Sequence, residues 1–452
     1  MLILLPEKKT QMGQKTSKKR GTLSKARGLF FILCFLHVAK ASCLHVDVSA
    51  QAAILIDAET GAVLFEKHAH IPLYPASITK IITALYALEK KGENLDESVV
   101  ASPDAIATVQ PHVRRSDDGK HPPYRLEFGG THVGIKAGEC LPLRSLLYGL
   151  MLESGNDAAN VIAQHISGSI PQFIEELNAF VKLQGCKNTR LLTPHGLPCV
   201  QHTTTAYDMA LLTRRALTHP FFCEVVKTTQ YTRPQTNKQA ESHWQQRNAL
   251  VKPGKFYYSK AIGVKTGYTT VAGYTLVAAA QDENRKLITV LLGYEHPYER
   301  YKDAIALFEA AFQEKPVCRT LFSKGFDHFS CSMPGALTPL DAELSSDLVL
   351  TYYPSEEPVF STKLEWFPSS FPIQKGQHVG EICVINQDHQ VLMRQPLFAM
   401  HPVDSTWSHR MTLIFRSLQA VLSRNLAFLL GTIGTLLIAV TFWCSSKKKA
   451  GV

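Results

Sequence analysis

Between residues 53 and 312 the strand-like segments stand at the two ends and the helix-like segments lie between them, and no other feature constrains the fold as tightly. Ala53 to Phe65 reads as two strands around the turn Asp57-Ala58-Glu59-Thr60-Gly61-Ala62. Ala261 to Thr266, Gly273 to Ala280 and Leu287 to Tyr294 read as three more, the last two joined by polar residues 281 to 285. Helical spacing fills the interval, at Leu143 to Leu152, Asp157 to Ile166, Pro171 to Gln184 and Tyr207 to Leu217, and Glu299 to Phe312 forms a closing amphipathic helix. One core can cover all these segments if the first and last strands pair in an antiparallel sheet flanked by helices. The expected class is α/β in the broad sense, α+β in detail.

After Lys315-Pro316 the pattern changes. Short β-rich runs separated by Pro, Gly and Ser extend from Cys318 to Met400, with the clearest strands at Leu348 to Tyr353, His378 to Ile385 and Gln390 to Met393. The expected boundaries are therefore a first domain over 42–315 and a small all-β domain over 316–402.

The ends of the chain carry its charge. Of the formal +10, residues 1–41 hold +8 and Lys447, Lys448 and Lys449 hold +3, which leaves the body near neutral at −1. A phosphate-binding surface needs a basic face on the folded domain, so no nucleic-acid partner is expected. Instead, basic residues up to Arg27, the apolar run Gly28 to Val38 and Ala39-Lys40-Ala41 have the order of a secretory signal peptide over 1–41. Leu426 to Cys444 is an uncharged apolar run of 19 residues followed by the three lysines, long enough for a C-terminal transmembrane helix with its last residues in the cytoplasm. Residues 405–424 before it form an amphipathic juxtamembrane segment, either lying in the membrane interface or continuing the span. Together these place the folded domains on the extracytoplasmic, periplasmic side of the cell membrane.

Cys34 and Cys444 fall in the two apolar runs, leaving eight cysteines in an exported body where disulfides can form. Cys186 with Cys199, and Cys318 with Cys331, are close enough in sequence to pair, and free buried thiols are the alternative. No Cys-x-x-Cys and no His-Glu-x-x-His occurs, so neither a metal nor a cofactor is expected.

Three short motifs carry the chemistry. Ser77-Ile78-Thr79-Lys80 at a helix start puts a hydroxyl and an amine one turn apart, a weak signal alone. Ser154-Gly155-Asn156 by itself reads as a helix break and cap. Lys265-Thr266-Gly267 lies on a strand. In this order the three describe a serine acyl-transfer site. A serine hydroxyl needs a neighbouring base, and Lys80 can serve if burial and a second cation, Lys265, lower the affinity of its amine for a proton. Ser154 can relay a proton to the leaving group and Asn156 can hold Lys80 or the substrate amide. Lys265 and Thr266 offer a cation and a hydroxyl to a carboxylate, while Gly267 lets a peptide approach the backbone. The backbone amides of Ser77 and Tyr268 are the oxyanion donors.

In these motifs and their context the chain resembles the low-molecular-mass penicillin-binding proteins of the serine D-alanyl-D-alanine carboxypeptidase type. Pro75 to Lys80, Glu153 to Ala158, Pro194-His195-Gly196-Leu197, Arg247-Asn248-x-Leu250 and Gly263 to Thr269 carry the resemblance over residues 48 to 313. It continues more weakly through Gln374 to Gly380 and in the apolar tail. The resemblance implies a penicillin-binding transpeptidase-like catalytic domain that removes the terminal D-alanine from peptidoglycan stem pentapeptides through an acyl-serine, with β-lactams as inhibitors. It also implies that Arg247 helps bind the terminal carboxylate, while His195 is read as a structural loop residue. Two departures stand out: Tyr268 where many relatives have His, and a polar surface loop at 111 to 128 that looks longer than usual.

Other readings use the same residues. A DD-endopeptidase acting on cross-links needs only a wider cleft. A β-lactamase needs a second general base, and Glu175-Glu176-Leu177-Asn178 invites that comparison although its spacing is one residue short. A non-enzymatic envelope scaffold would have no need of Ser77, Lys80 and Lys265 together.

Overall fold

The computed structural model describes residues 44–92, 94–115, 120–387 and 389–449, so the expected signal peptide over 1–41 lies outside the described residues. Two compact units emerge, one of 39–319 with 350–358, the other built from 320–349 and 359–452.

In the first unit, β1 (Ala52–Asp57) and β2 (Val63–Lys67) pair as the expected hairpin. With β3 (Ala261–Thr269), β4 (Gly273–Gln281) and β5 (Lys286–Tyr294) they form one antiparallel sheet in the order β2-β1-β5-β4-β3. The first strand does pair with the last, from Ala52 opposite Leu292 to Asp57 opposite Leu287. Alternation sorts the side chains to two faces. Ala53, Leu55, Leu276 and Ala278 pack under Leu307 and Phe308 of the closing helix, whereas Ile54, Ile56, Val277 and Val290 face the helical layer. Both faces are covered, which is why these strands read as nearly unbroken apolar runs.

The helical layer is built around α1 (Thr79–Lys91), with α2 (Leu143–Met151), α3 (Asn156–Ser167), α4 (Ile170–Leu183) and α5 (Ala206–Ala216) around it. Ser169 and Thr205 cap α4 and α5 by accepting from the amides of Gln172 and Asp208, as hydroxyl residues at helix starts do. Sequence periodicity gave α1 one apolar face, but every residue from Thr79 to Leu88 is buried. Lys80, Thr79 and Thr83 occupy its remaining sides, so this helix is core on all sides, with polar groups that need partners inside. A short helix, α6 (Pro220–Lys227), and a hairpin of Gln230–Arg233 with Ser242–Gln245 were not anticipated, being too short to show a period. The last helix of this unit is α7 (Glu299–Phe312).

Residues 111 to 128 are not a plain surface loop. Pro111–Arg115 is helical, and Leu126–Glu127 pairs in parallel with Thr108–Val109. Nor do the cysteine pairs form, since Cys186, Cys318 and Cys331 carry free thiols. The Cys186 thiol is buried and donates to the Asp208 carbonyl.

The second unit contains an antiparallel sheet of β6 (His328–Cys331), β7 (Leu340–Leu344), β8 (Phe360–Trp366), β9 (His378–Asn386) and β10 (Val391–Ala399), in the order β6-β7-β10-β9-β8. From it runs α8 (Trp407–Lys449), one continuous helix of 43 residues that takes in both the amphipathic segment and the expected span. Among the described residues no helix is long and apolar enough to cross a membrane, so the transmembrane part of the expectation has no support here. The two ends of 426–444 fall on side chains outside the described set.

Candidate active site

Ser77 stands in the 3-10 turn Ala76–Ile78 that leads into α1. Neighbours from three directions fix this turn. Thr275 on β4 donates its hydroxyl to the Pro75 carbonyl at 3.0 Å. Thr79 donates to the Ala76 carbonyl at 2.9 Å, and its oxygen lies 3.1 Å from His202 Nε2. Because His202 Nδ1 accepts from the Leu192 amide, Nε2 carries the proton and donates to Thr79. Such support holds Ala76 at a φ of 52°, in the left-handed region.

Lys80 is wholly buried, and its Nζ lies 2.9 Å from Ser77 Oγ, 2.7 Å from Asn156 Oδ1 and 2.8 Å from the His195 carbonyl. These partners decide how a neutral amine would be oriented. Asn156 Oδ1 and the His195 carbonyl can only accept, so they take the two N–H groups and leave the lone pair facing the Ser77 hydroxyl. Burial pushes the Lys80 ammonium far below the ordinary lysine range, and the charges of Lys265 and Arg247 push the same way against Asp157.

Asn156 begins α3, and its own amide donates to the Thr131 carbonyl. Ser154 just before it is buried, at a φ of 64°. The neighbouring Asp157 had no role in the sequence reading, yet it organises this corner. Its carboxylate accepts from the amides of Val133, Gly134, Ile135 and Ala158, which ties the 133–135 segment to the Ser-Gly-Asn turn. An acidic residue in the first turn of a helix was the only local signal.

On the sheet side, β3 is the edge strand and brings Lys265 to Tyr268 alongside the serine turn. A Cβ on Gly267 would stand 2.9 Å from the Ser77 amide nitrogen and 2.4 Å from Thr275 Oγ1, so only glycine permits this approach. Lys265 is buried and donates to the Thr266 carbonyl at 3.0 Å. Its burial, followed by the charges of Arg247 and Arg300, lowers its pKa to about 7, with Glu153 opposing. Tyr268 is 53% exposed and stacks on Tyr274 with ring centroids 4.3 Å apart. Arg247 is bound by Glu153, the residue preceding Ser154, through Nη2 at 3.0 Å and Nε at 3.2 Å.

A cleft of about 750 Å³ opens beside Ser77, lined also by Asn156, Gly196 and Tyr268. Its outer wall includes Val113, His121, Pro122 and Pro123, all from the 111–128 segment. That wall is anchored at Tyr124, whose carbonyl accepts from His195 Nε2 at 3.1 Å and from Asn160 Nδ2 at 3.0 Å. His195 is thus structural in a specific way, joining the cleft wall through its ring and Lys80 through its carbonyl. Of the expected site residues, Ser77, Asn156 and Tyr268 line this cleft, whereas Lys80, Ser154, Lys265, Thr266, Gly267 and Arg247 are not among its lining residues. Glu176, from the segment compared with β-lactamases, binds Tyr86, Ser167 and Gln172 at the surface of α4 and does not line the cleft. Among the described residues no cluster of three or more His, Cys, Asp or Glu side chains is arranged to hold a metal ion.

Residues 38–296 match the family model described as D-alanyl-D-alanine carboxypeptidase, Peptidase_S11. The D-alanyl-D-alanine carboxypeptidase DacF of Bacillus subtilis is 30% identical over 365 residues, covering 77% of this chain and 85% of that protein. DacC of Escherichia coli is 32% identical over 307 residues, covering 67% of this chain and 71% of the relative. Among solved structures, the Streptomyces K15 DD-transpeptidase aligns with a TM-score of 0.51 at 27% identity, over 59% of this chain and 98% of its own. Penicillin binding protein 5 from Haemophilus influenzae aligns with a TM-score of 0.54 at 24% identity over 80% of this chain, a likeness of fold.

Proposed function

The chain belongs to the D-alanyl-D-alanine carboxypeptidase family of serine peptidases, and on that footing we propose a division of labour among its site residues. The reaction is removal of the terminal D-alanine from peptidoglycan stem peptides. Ser77 Oγ attacks the carbonyl carbon of the penultimate D-alanine as its proton passes to the Lys80 lone pair. The carbonyl electron pair moves onto oxygen, where the Ser77 and Tyr268 amides stabilise it. Collapse breaks the C–N bond as Ser154 relays the proton held on Lys80 to the departing D-alanine nitrogen, which leaves Lys80 neutral; water then attacks the Ser77 ester with Lys80 again as base, and that proton returns to Ser77 Oγ as the ester bond breaks. Asn156 keeps Lys80 in place. The free carboxylate of the substrate sits against Lys265 and the Thr266 hydroxyl beside Gly267, with Arg247 acting on Lys265 through its charge and reaching the substrate only if it leaves Glu153. A β-lactam presents an amide beside a carboxylate and follows the first step.

The observation that carries this assignment is the Lys80 amine held by two pure acceptors with its third direction on Ser77 Oγ. The experiment is release of D-alanine from a pentapeptide, together with mass spectrometry of the penicillin-treated protein. An adduct on the Ser77 peptide supports the roles; one elsewhere, or none, overturns them.

We further propose that 426–444 anchors the protein in the cell membrane, with the catalytic unit on the extracytoplasmic side and the last residues in the cytoplasm. The supports are the 19-residue uncharged run, the lysines after it, and the exposed Leu430, Ile433, Leu436, Leu437, Ile438 and Val440 within one continuous helix. Apolar side chains on successive positions around a helix need an apolar solvent on every side.

A further inference from the structure

Arg300 is the second residue of α7, buried behind the edge strand that carries Lys265 to Tyr268. Nothing local explains a cation there, since a positive charge in the first turn of a helix opposes the helix dipole. Among the described residues it makes no ion pair, and its Nε has no hydrogen-bond partner. Instead, Nη1 donates to the Gly267 carbonyl at 3.1 Å and to the Thr275 carbonyl at 3.3 Å, and Nη2 to the Tyr301 hydroxyl at 3.2 Å. Its guanidinium also lies 5.0 Å from the ring centre of Tyr274, the ring on which Tyr268 stacks. A buried guanidinium paired with carbonyls in place of a carboxylate is costly.

The Gly267 carbonyl and the Tyr268 N–H belong to one peptide unit. In a trans peptide the two groups point in opposite directions. With the carbonyl turned inward to Arg300 and β4, the Tyr268 N–H faces out from the open edge of the sheet, the edge that meets Ser77. Fixing the carbonyl fixes the aim of the amide, and a charged donor on the oxygen draws electron density from the nitrogen and makes its N–H a stronger donor.

We propose that Arg300 is a positioning residue for the oxyanion hole, which it completes from behind by locking and polarising the Gly267–Tyr268 peptide. The inference rests on the serine mechanism above. Arg300 touches neither substrate nor Ser77, so its effect should fall on the charged tetrahedral stage and spare ground-state binding.

Arg300→Gln and Arg300→Lys test this against wild type with three readouts. They are the saturating rate of Ser77 acylation by a β-lactam, kcat and KM for D-alanine release, and affinity for a peptide boronic acid, whose adduct on Ser77 places an oxygen where the oxyanion forms. For Arg300→Gln the acylation rate, kcat and boronate affinity should fall together by roughly 10- to 100-fold, with KM within about twofold of wild type. Arg300→Lys should be intermediate, because an ammonium cannot bind both carbonyls while lying flat against Tyr274. Wild-type acylation rates in the Gln variant overturn the inference. So does a rise in KM as large as the fall in kcat, the mark of a merely structural role. If the Gln variant does not fold, wild-type rates in the Lys variant overturn it equally. Failure of the wild-type protein to acylate on Ser77 would instead sink the serine mechanism itself, which keeps the two failures apart.

Discussion

Gly196 lies directly on the carbonyl of Ala76, so close that a Cβ at Gly196 would stand 1.9 Å from the Ala76 oxygen. Its φ of 89° also belongs to the region that favours glycine. Through this contact the Pro-His-Gly-Leu loop sets the height of the nucleophile turn, while the carbonyl of His195 next to it holds Lys80. Gly196→Ala should displace Ala76 and with it Ser77. The expected outcome is loss of penicillin acylation by more than about tenfold and a lower melting temperature, with a backbone cost of order 1–3 kcal/mol before the clash is counted. Wild-type acylation by Gly196→Ala would show that the turn yields more easily than its contacts imply.

In the proposed mechanism Lys80 acts as the neutral amine, so acylation should fall as pH drops through its lowered pKa. Lys80→Ala should reduce acylation by roughly 100-fold or more. The charge of Lys265 is the largest electrostatic contribution to that lowering. Lys265→Gln should therefore raise the Lys80 pKa and move the acid limb of the acylation profile to higher pH. A limb that stays in place would mean that another group sets it.

For Lys265 the sign is opposite, because carboxylate binding needs the ammonium. With its pKa at about 7, KM for a substrate with a free terminal carboxylate should rise as pH climbs above that value, and KM for the amidated analogue should stay flat. The same residue makes a stability prediction. An unfolded lysine binds its proton up to about pH 10.4, so between pH 7 and that value the unfolded state holds more protons at this site. The contribution of Lys265 to stability thus increases with pH across that window. Arg247→Ala removes the first electrostatic cause of the lowering, so the rise in KM should begin at higher pH. Chemical denaturation and steady-state kinetics over pH 6 to about 10 check both statements.

Much of the scaffold could be read from local pattern because it is local in origin. Apolar runs and the Gly-bearing turn between β1 and β2 announce themselves within a few residues, and the position of strands at both ends forced the pairing of β1 with β5. Ser77, Lys80, Ser154, Asn156 and Lys265 were legible as three spaced motifs, and among them Lys80 bonds to Ser77 and Asn156 and feels the charge of Lys265. What stayed hidden depends on contacts across the fold. Asp157, Gly196 and Arg300 act on backbone groups 22 to 120 residues away, and a carbonyl or amide partner leaves no mark in sequence. The 111–128 segment misled for the same reason. Its polar composition suggests solvent, but its anchor is the Tyr124 carbonyl, held by His195 and Asn160.

Asp157→Ala should expose how far the site depends on such backbone contacts. The substitution leaves the amides of Val133, Gly134 and Ile135 without their acceptor in a partly buried corner, at a cost of up to about 3 kcal/mol in total if each loses about 1. Asn156 shares that corner, so acylation should slow as well. Urea denaturation reads the first effect and penicillin labelling the second; a stability within about 0.5 kcal/mol of wild type would show that water replaces the carboxylate.

The tail prediction separates an integral anchor from an interfacial one. An uncharged run of 19 residues from Leu426 to Cys444, once inserted, should keep the protein with membranes at high salt. A helix bound partly by the charges of Arg410, Arg416 and the terminal lysines should instead be released as screening shortens the reach of those charges to about 3 Å at 1 M salt. Deleting 405–452 should give a protein that leaves the membrane and retains full activity on small peptides, because Ser77, Lys80, Asn156 and Lys265 all belong to the unit of 39–319. Membrane retention of the truncated protein would transfer the anchoring role to the apolar run Gly28 to Val38. A released but inactive truncation would mean that the tail supports catalysis in addition to any anchoring.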